Sequence, residues 1–200
     1  MKIYDPIHRN VIILKGKVLN CIFNLLHNDF KFYGRDNVIT IEEETKLKKG
    51  LFLIIGDKNS FNIGKKCSFN NFTIRADGNR NKIKIGNNVT WGGGVLNAID
   101  HTQIKVGSEC MFSYGIDIMS SDGHPIFLEG KKIRYNKSKN IEIGEHVWIG
   151  MKSQILKGVT IPDNCVIGAS SLVNKPFHEE NCIIGGHPAE IIRHKIYWKR

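Results

Sequence analysis

Residues 143–173 read IGEHVW-IGMKSQ-ILKGVT-IPDNCV-IGASSL-V, and the aliphatic residue opening each block (Ile143, Ile149, Ile155, Ile161, Ile167, Val173) recurs at every sixth position. A helix face repeats near 3.6 residues and a strand face at 2, so a sustained period of six belongs to neither alone. The fifth residue of each block is also small or β-branched: Val147, Ser153, Val159, Cys165, Ser171. Two inward positions in six describe a short strand followed by a corner, and three such units close a triangular coil of about eighteen residues. The pattern predicts an all-β chain wound as a parallel β-helix, a triangular prism.

Upstream the repeat carries punctuation. The segments beginning at Gly34, Gly56 and Gly78 share one motif, G-x-x-N-x-[apolar]-x-I, which recurs every 22 residues. Twenty-two is eighteen plus four, which implies a Gly/Asn turn inserted at one corner of each early coil, because both residues tolerate φ > 0. The anchors Ile41, Ile63, Ile85, Val106, Ile143 and Ile161 count about six coils. Between Val106 and Ile143 the step is 37 residues, so one long loop leaves the prism at residues 121–139. The expected organisation is an N-terminal cap segment (1–33), the prism (34–178) and a C-terminal tail (179–200) ending in a short helix. Within the cap, Val18, Ile22, Leu25 and Leu26 recur at helical spacing, which predicts a helix over 17–29.

Two hundred residues with 41% hydrophobic content suit one globular domain. No stretch approaches the ~20 apolar residues of a membrane span. Asp5 and Pro6 stand where a signal peptide would be apolar, which points to a cytoplasmic protein. The five cysteines include no C-x-x-C pair; Cys67, Cys110 and Cys165 fall at the inward fifth position and read as core. The formal charge of +10 fits an anionic partner or a solvated lysine-rich face. No nucleic-acid-binding motif accompanies it, so nucleic acid is not expected as a partner.

A stacked prism offers near-identical surfaces, so a unique site belongs where the repeat breaks. The break reads Ser121-Asp-Gly-His-Pro125, followed twenty-four residues after the histidine by Val147-Trp-Ile-Gly150, and the tail carries Gly185-Gly-His-Pro-Ala-Glu-Ile-Ile192. The hexads resemble those of the hexapeptide-repeat acyltransferases, whose prism coils left-handedly. Histidine segment, tryptophan spacing and tail together resemble the galactoside, maltose and capsule-polysaccharide O-acetyltransferases, over roughly residues 34–193. The resemblance implies acetyl-CoA as co-substrate, no metal, a saccharide acceptor and a homotrimer whose neighbouring prisms share the active cleft.

Residue by residue, the resemblance implies His124 as general base, a task suited to histidine's unperturbed pKa. It implies the backbone N–H of Met151 as oxyanion donor, and Trp148 beside the thioester end of the pantetheine arm. Gly150, Ala169, Asn174, Lys175 and Arg193 fall where those enzymes contact the cofactor. One departure concerns the acceptor. Where galactoside acetyltransferases carry a tyrosine and an asparagine, this chain reads Trp91-Gly-Gly-Gly94. A wall built from Trp91 and Gly93 implies a wider groove, and Lys131, Lys132 and Arg134 follow the histidine, so the expected acceptor is an anionic sugar polymer of the sialic-acid capsule type. Two alternatives remain open within the fold: a streptogramin or chloramphenicol acetyltransferase keeps the same histidine and tryptophan, and a non-catalytic β-helix needs neither. A γ-type carbonic anhydrase shares the prism but requires three zinc-binding histidines, two of them five residues apart, and His101, His124 and His146 lack that spacing.

Overall fold

The computed structural model describes all 200 residues and is a left-handed β-helix of about seven turns with a single helix. Parallel strands stack in three columns. Face I runs Val11–Leu14, Val38–Ile41, Ser60–Ile63, Lys82–Ile85, Gln103–Val106, Ile141–Ile143, Thr160–Ile161. Face II contains Asn28–Tyr33, Gly94–Ile99, Ile116–Met119, Gln154–Leu156 and Leu172–Val173. Face III contains Thr90–Trp91, Met111–Phe112, Trp148–Ile149, Val166–Ile167 and Ile183–Gly186. In the early coils one long strand, Lys46–Ile55 or Ser68–Asp77, turns the corner from face III onto face II.

Register explains the burial. In Lys82–Ile85, Ile83 and Ile85 point inward and the lysines outward, and the same alternation recurs in every face I strand that stacks on it. The inward side chains form one apolar column that includes Cys67, Cys110 and Cys165. Each fully buried isoleucine contributes about 1.5–3 kcal/mol. Burial pushes the Cys67 and Cys110 thiols up to about 11 and about 12, and raises Cys165 as well, so these are packing residues and not thiolate nucleophiles.

The asparagine of the 22-residue motif also points inward. Asn37, Asn59 and Asn81 are fully buried, and the Oδ1 of each accepts both the backbone N–H and the Nδ2 of the next asparagine, or the N–H of Thr102 at the top. Asn10 starts the ladder one coil earlier. The extra residues of the early coils lie just before this ladder, in a longer face II strand and a turn whose Lys58 and Arg80 adopt φ of 58° and 56°.

Three expectations are corrected. The prism begins at Val11, not residue 34, because Val11–Leu14 pairs with Val38–Ile41 and Asn28–Tyr33 pairs with Gly50–Ile55. The helix Val18–Leu26 occupies the third face of this first coil, with Asn24 bonded to Thr45 and Leu47, so no hexad marks the coil in sequence and the count is about seven, not six. At the other end there is no C-terminal helix. Ile183–Gly186 continues face III and Ala189–Arg193 folds back antiparallel onto it. Gly186, at φ 111°, and Pro188 make the turn, and the β-branched pair Ile191 and Ile192 suits a strand.

Candidate active site

The excursion departs after the buried pair Ser120–Ser121 and rejoins face I at Ile141. Its stem is a small antiparallel contact, Phe127 opposite Arg134, with the Tyr135 N–H donating to the Ile126 carbonyl at 2.8 Å. Buried Asn136 closes the base of the loop. Its Nδ2 donates to the His124 carbonyl (2.8 Å) and to Asp122 Oδ2 (2.8 Å), and its Oδ1 accepts from the Ile126 N–H (2.7 Å). The His124 backbone is thereby fixed, while its imidazole makes no hydrogen bond within the chain and faces solvent. Gly123, at φ 84° with open space around it, supplies the turn before the histidine. Asp122 does not orient the imidazole. Its carboxylate takes donors from Lys157 and Asn136, and although partial burial opposes it, these donors hold the carboxyl below the usual aspartate range.

Trp148 stands on the outward side of face III and is 38% exposed. Beyond it the chain turns toward face II. The Gly150 and Lys152 N–H groups are taken by Ile167 and Tyr114 carbonyls, both at 2.8 Å, whereas the Met151 N–H between them has no acceptor in the chain. One coil on, the N–H of exposed Ala169 is likewise free. The corner thus offers a short column of unpaired donors. Gly150 itself is buried, and a Cβ there would sit 2.6 Å from Ala169 N, so this glycine serves the stacking of the coils and does not expose a ligand surface. Asn174, Lys175 and Arg193 are exposed at the far end of the prism, where Lys175 pairs with Glu190 at 2.5 Å.

The acceptor wall expected at 91–94 is overturned. Trp91 is 2% exposed and packs inside the prism against Phe69, Phe72 and Phe112, because it takes the inward register shared by Phe112 and Ile149. Gly93 has φ 144°, and a Cβ would meet the Asn71 carbonyl at 2.6 Å, so backbone geometry demands the glycine. Arg134 is not free to meet a ligand either. It donates to Asp100 at 2.7 Å and reaches Asn136 and Ser121, which makes it part of the loop's stem. Lys131 and Lys132 remain exposed and without an ion pair.

Features with no sequence signal complete the picture. Lys58, Arg80 and His101 stack at one corner on successive coils, with Lys82 beside them, around a polar depression of about 590 Å³ that also borders Asn140 at the loop's return. None of these four basic side chains carries an ion pair. No three His, Cys, Asp or Glu side chains converge as metal ligands, and no helix is long and apolar enough to cross a membrane.

Residues 140–175 match the bacterial transferase hexapeptide family (six repeats). The polysialic acid O-acetyltransferase of Neisseria meningitidis is 33% identical over 188 residues, covering 84% of this chain and 87% of that protein. The galactoside O-acetyltransferase of Escherichia coli (strain K12) is 29% identical, covering 90% and 77%. Among solved structures, the polySia specific acetyltransferase NeuO superposes with a TM-score of 0.79 at 28% identity, over 96% of this chain and 85% of that one.

Proposed function

The chain belongs to the hexapeptide-repeat O-acetyltransferases, acetyl-CoA-dependent enzymes, and from that premise we propose that it acetylates a hydroxyl of an anionic polysaccharide of the sialic-acid type, with His124 as general base. Two separate features carry the reading: an open imidazole, held by its backbone on the excursion that follows face II, and a corner between faces III and II whose Met151 N–H is left without an acceptor, which neighbouring prisms of a trimer would bring into one cleft. Base and oxyanion donor are the two groups that acyl transfer to a hydroxyl requires.

In this reading the acceptor hydroxyl gives its proton to the His124 ring nitrogen as its oxygen attacks the thioester carbonyl. The Met151 N–H donates to the oxygen that gains charge, an interaction of about 3–4 kcal/mol when such a donor is removed. As the carbon–sulfur bond breaks, the imidazolium returns the proton to the departing thiolate. Direct transfer is favoured over an acetyl-enzyme, because the neighbouring Ser120 is buried and its Oγ is engaged with Thr102 and Ile99, and Cys67 and Cys110 are held as thiols by burial. The free Ala169 N–H suits an amide carbonyl of a pantetheine arm, with Trp148 beside it and Asn174, Lys175 and Arg193 toward its phosphates.

The anionic acceptor is supported by Lys131 and Lys132 on the loop and by the stacked Lys58 and Arg80 below it, with Lys82 beside them, together with the polysialic acid specificity named for the Neisseria relative. A homotrimer is supported by Ile126, Phe127, Leu128, Ile133 and Tyr135, all more than half exposed on the excursion of a single chain. Mass spectrometry of a sialic-acid polymer and of neutral galactosides after incubation with acetyl-CoA tests the reading. The expected result is a 42 Da gain per modified residue on the polymer, about 10²–10⁴-fold slower with His124→Ala while acetyl-CoA binding persists. Modification of neither glycan, or a His124→Ala variant within about tenfold of the parent, overturns it.

A further inference from the structure

After the last hairpin the chain runs back along the corner between faces I and III. The Ile196 N–H donates to the Asn181 carbonyl (2.8 Å) and Trp198 Nε1 to the His146 carbonyl (3.2 Å). The Arg200 guanidinium donates to Asn88 O (2.9 Å), Thr90 Oγ1 (2.9 Å) and Cys110 O (2.8 Å). The tail therefore straps several coils together from outside, anchored by one arginine.

Its tryptophan lies where the chemistry is proposed. The Trp198 indole is flat on the His146 imidazole, with centroids 3.9 Å apart and planes at 0°, and that imidazole is tied to Asn164 Oδ1 at 3.0 Å. The Trp198 ring centroid is 6.1 Å from that of Trp148, with the planes at 48°. Trp148 belongs to a two-residue strand and projects outward. On such a strand an exposed indole has several staggered rotamers open to it. Trp198 fills the His146 side of that ring, and Trp148 keeps 38% of its surface exposed.

We propose that Trp198 is a positioning residue for the co-substrate site: it buttresses Trp148 in the orientation that faces the Met151 corner, with Arg200 as its anchor. This rests on the reading that Trp148 lines the thioester arm of acetyl-CoA. An indole already held in place does not have to be ordered when the co-substrate binds. Because the buttress acts on ground and transition states alike, it affects KM for acetyl-CoA and leaves kcat nearly unchanged.

The test uses the full chain with Trp198→Ala, Trp198→Phe and Arg200→Ala. Steady-state rates are measured with acetyl-CoA varied at saturating acceptor, CoA affinity by calorimetry, and the thermal midpoint in parallel. Trp198→Ala is expected to raise acetyl-CoA KM and CoA Kd together by about 3–10-fold, the effect of ordering one side chain on binding. Arg200→Ala follows in the same direction, and Trp198→Phe, which keeps a flat ring on His146, stays within about twofold. Acceptor KM and kcat hold within about twofold in all three. A wild-type enzyme that turns over normally, with Trp198→Ala unchanged in acetyl-CoA KM, overturns the inference alone. So does a variant whose kcat and both KM values change with a lowered thermal midpoint, since that is loss of structure. A wild-type chain that binds no CoA and transfers no acetyl overturns the functional reading itself.

Discussion

Asn136 governs how His124 is presented, since one amide satisfies the His124 carbonyl, the Ile126 N–H and the Asp122 carboxylate. Removing it takes away the three bonds that tie the exposed 122–126 segment in place, within a loop that has little apolar packing of its own. Asn136→Ala is expected to lower kcat about tenfold, to leave acetyl-CoA KM unchanged, and to speed tryptic cleavage within 121–139; kinetics and limited proteolysis check it. Asp122 adds a pH dependence of definite sign. Its carboxyl is held below the usual range, so the folded loop binds fewer protons than the unfolded one. The stabilisation is therefore present above about pH 4 and lost as pH falls through the folded value. Loop protection should weaken on acidification in that window, and Lys157→Met should move the loss to higher pH, as read by pH-dependent hydrogen exchange. The His-Pro turn was legible in sequence. Asn136 was not, because its partners lie ten to fourteen residues away and meet it only when the loop closes.

At the level of the repeating element, the asparagine ladder is a polar spine inside an apolar prism. Asn59 Oδ1 accepts two bonds from Asn81, and its own N–H groups serve Asn37 and the Gly78 carbonyl. Asn59→Ala leaves those partners buried without bonds, which predicts a loss of about 2–4 kcal/mol in urea unfolding, more than an exposed Asn62→Ala. The motif G-x-x-N revealed the recurrence, but it did not reveal that the asparagine points inward. That depends on coils stacked in register, so that each amide finds the one below. Trp91 shows the same dependence: in sequence it adjoined three glycines and read as surface, whereas strand register turns it into the core.

On the scale of the whole molecule, flat faces and an apolar arm on the excursion imply association. Light scattering is expected to give three times the chain mass, and Phe127→Asp with Leu128→Asp to shift it toward the single chain with loss of activity; an active wild-type monomer would contradict the assembly. The charge distribution makes a separate prediction. Lys58 and Arg80 stack on successive coils with Lys82 beside them, a basic strip that continues toward the loop, and the Debye length shrinks from about 10 Å at 0.1 M salt to about 3 Å at 1 M. KM for an anionic polymer should therefore rise with ionic strength, and neutralising the three residues should raise it further at low salt, with acetyl-CoA KM measured alongside as the control.

The six-residue period by itself determined the β-helix, because inward and outward positions are a property of local spacing. The histidine break and the tryptophan twenty-four residues later likewise followed from order along the chain. Three things awaited the folded molecule. The first coil was hidden because a helix replaces one of its strands, so no period could announce it. The basic column and the ion-paired Arg134 depend on which residues a coil of 22 places above one another. Trp198 reaches Trp148 only because the tail doubles back across the prism, and a contact between residues fifty positions apart leaves no trace in local pattern. Periodicity reports what each residue does within its own strand, while contacts between coils are set by stacking, which is a property of the whole.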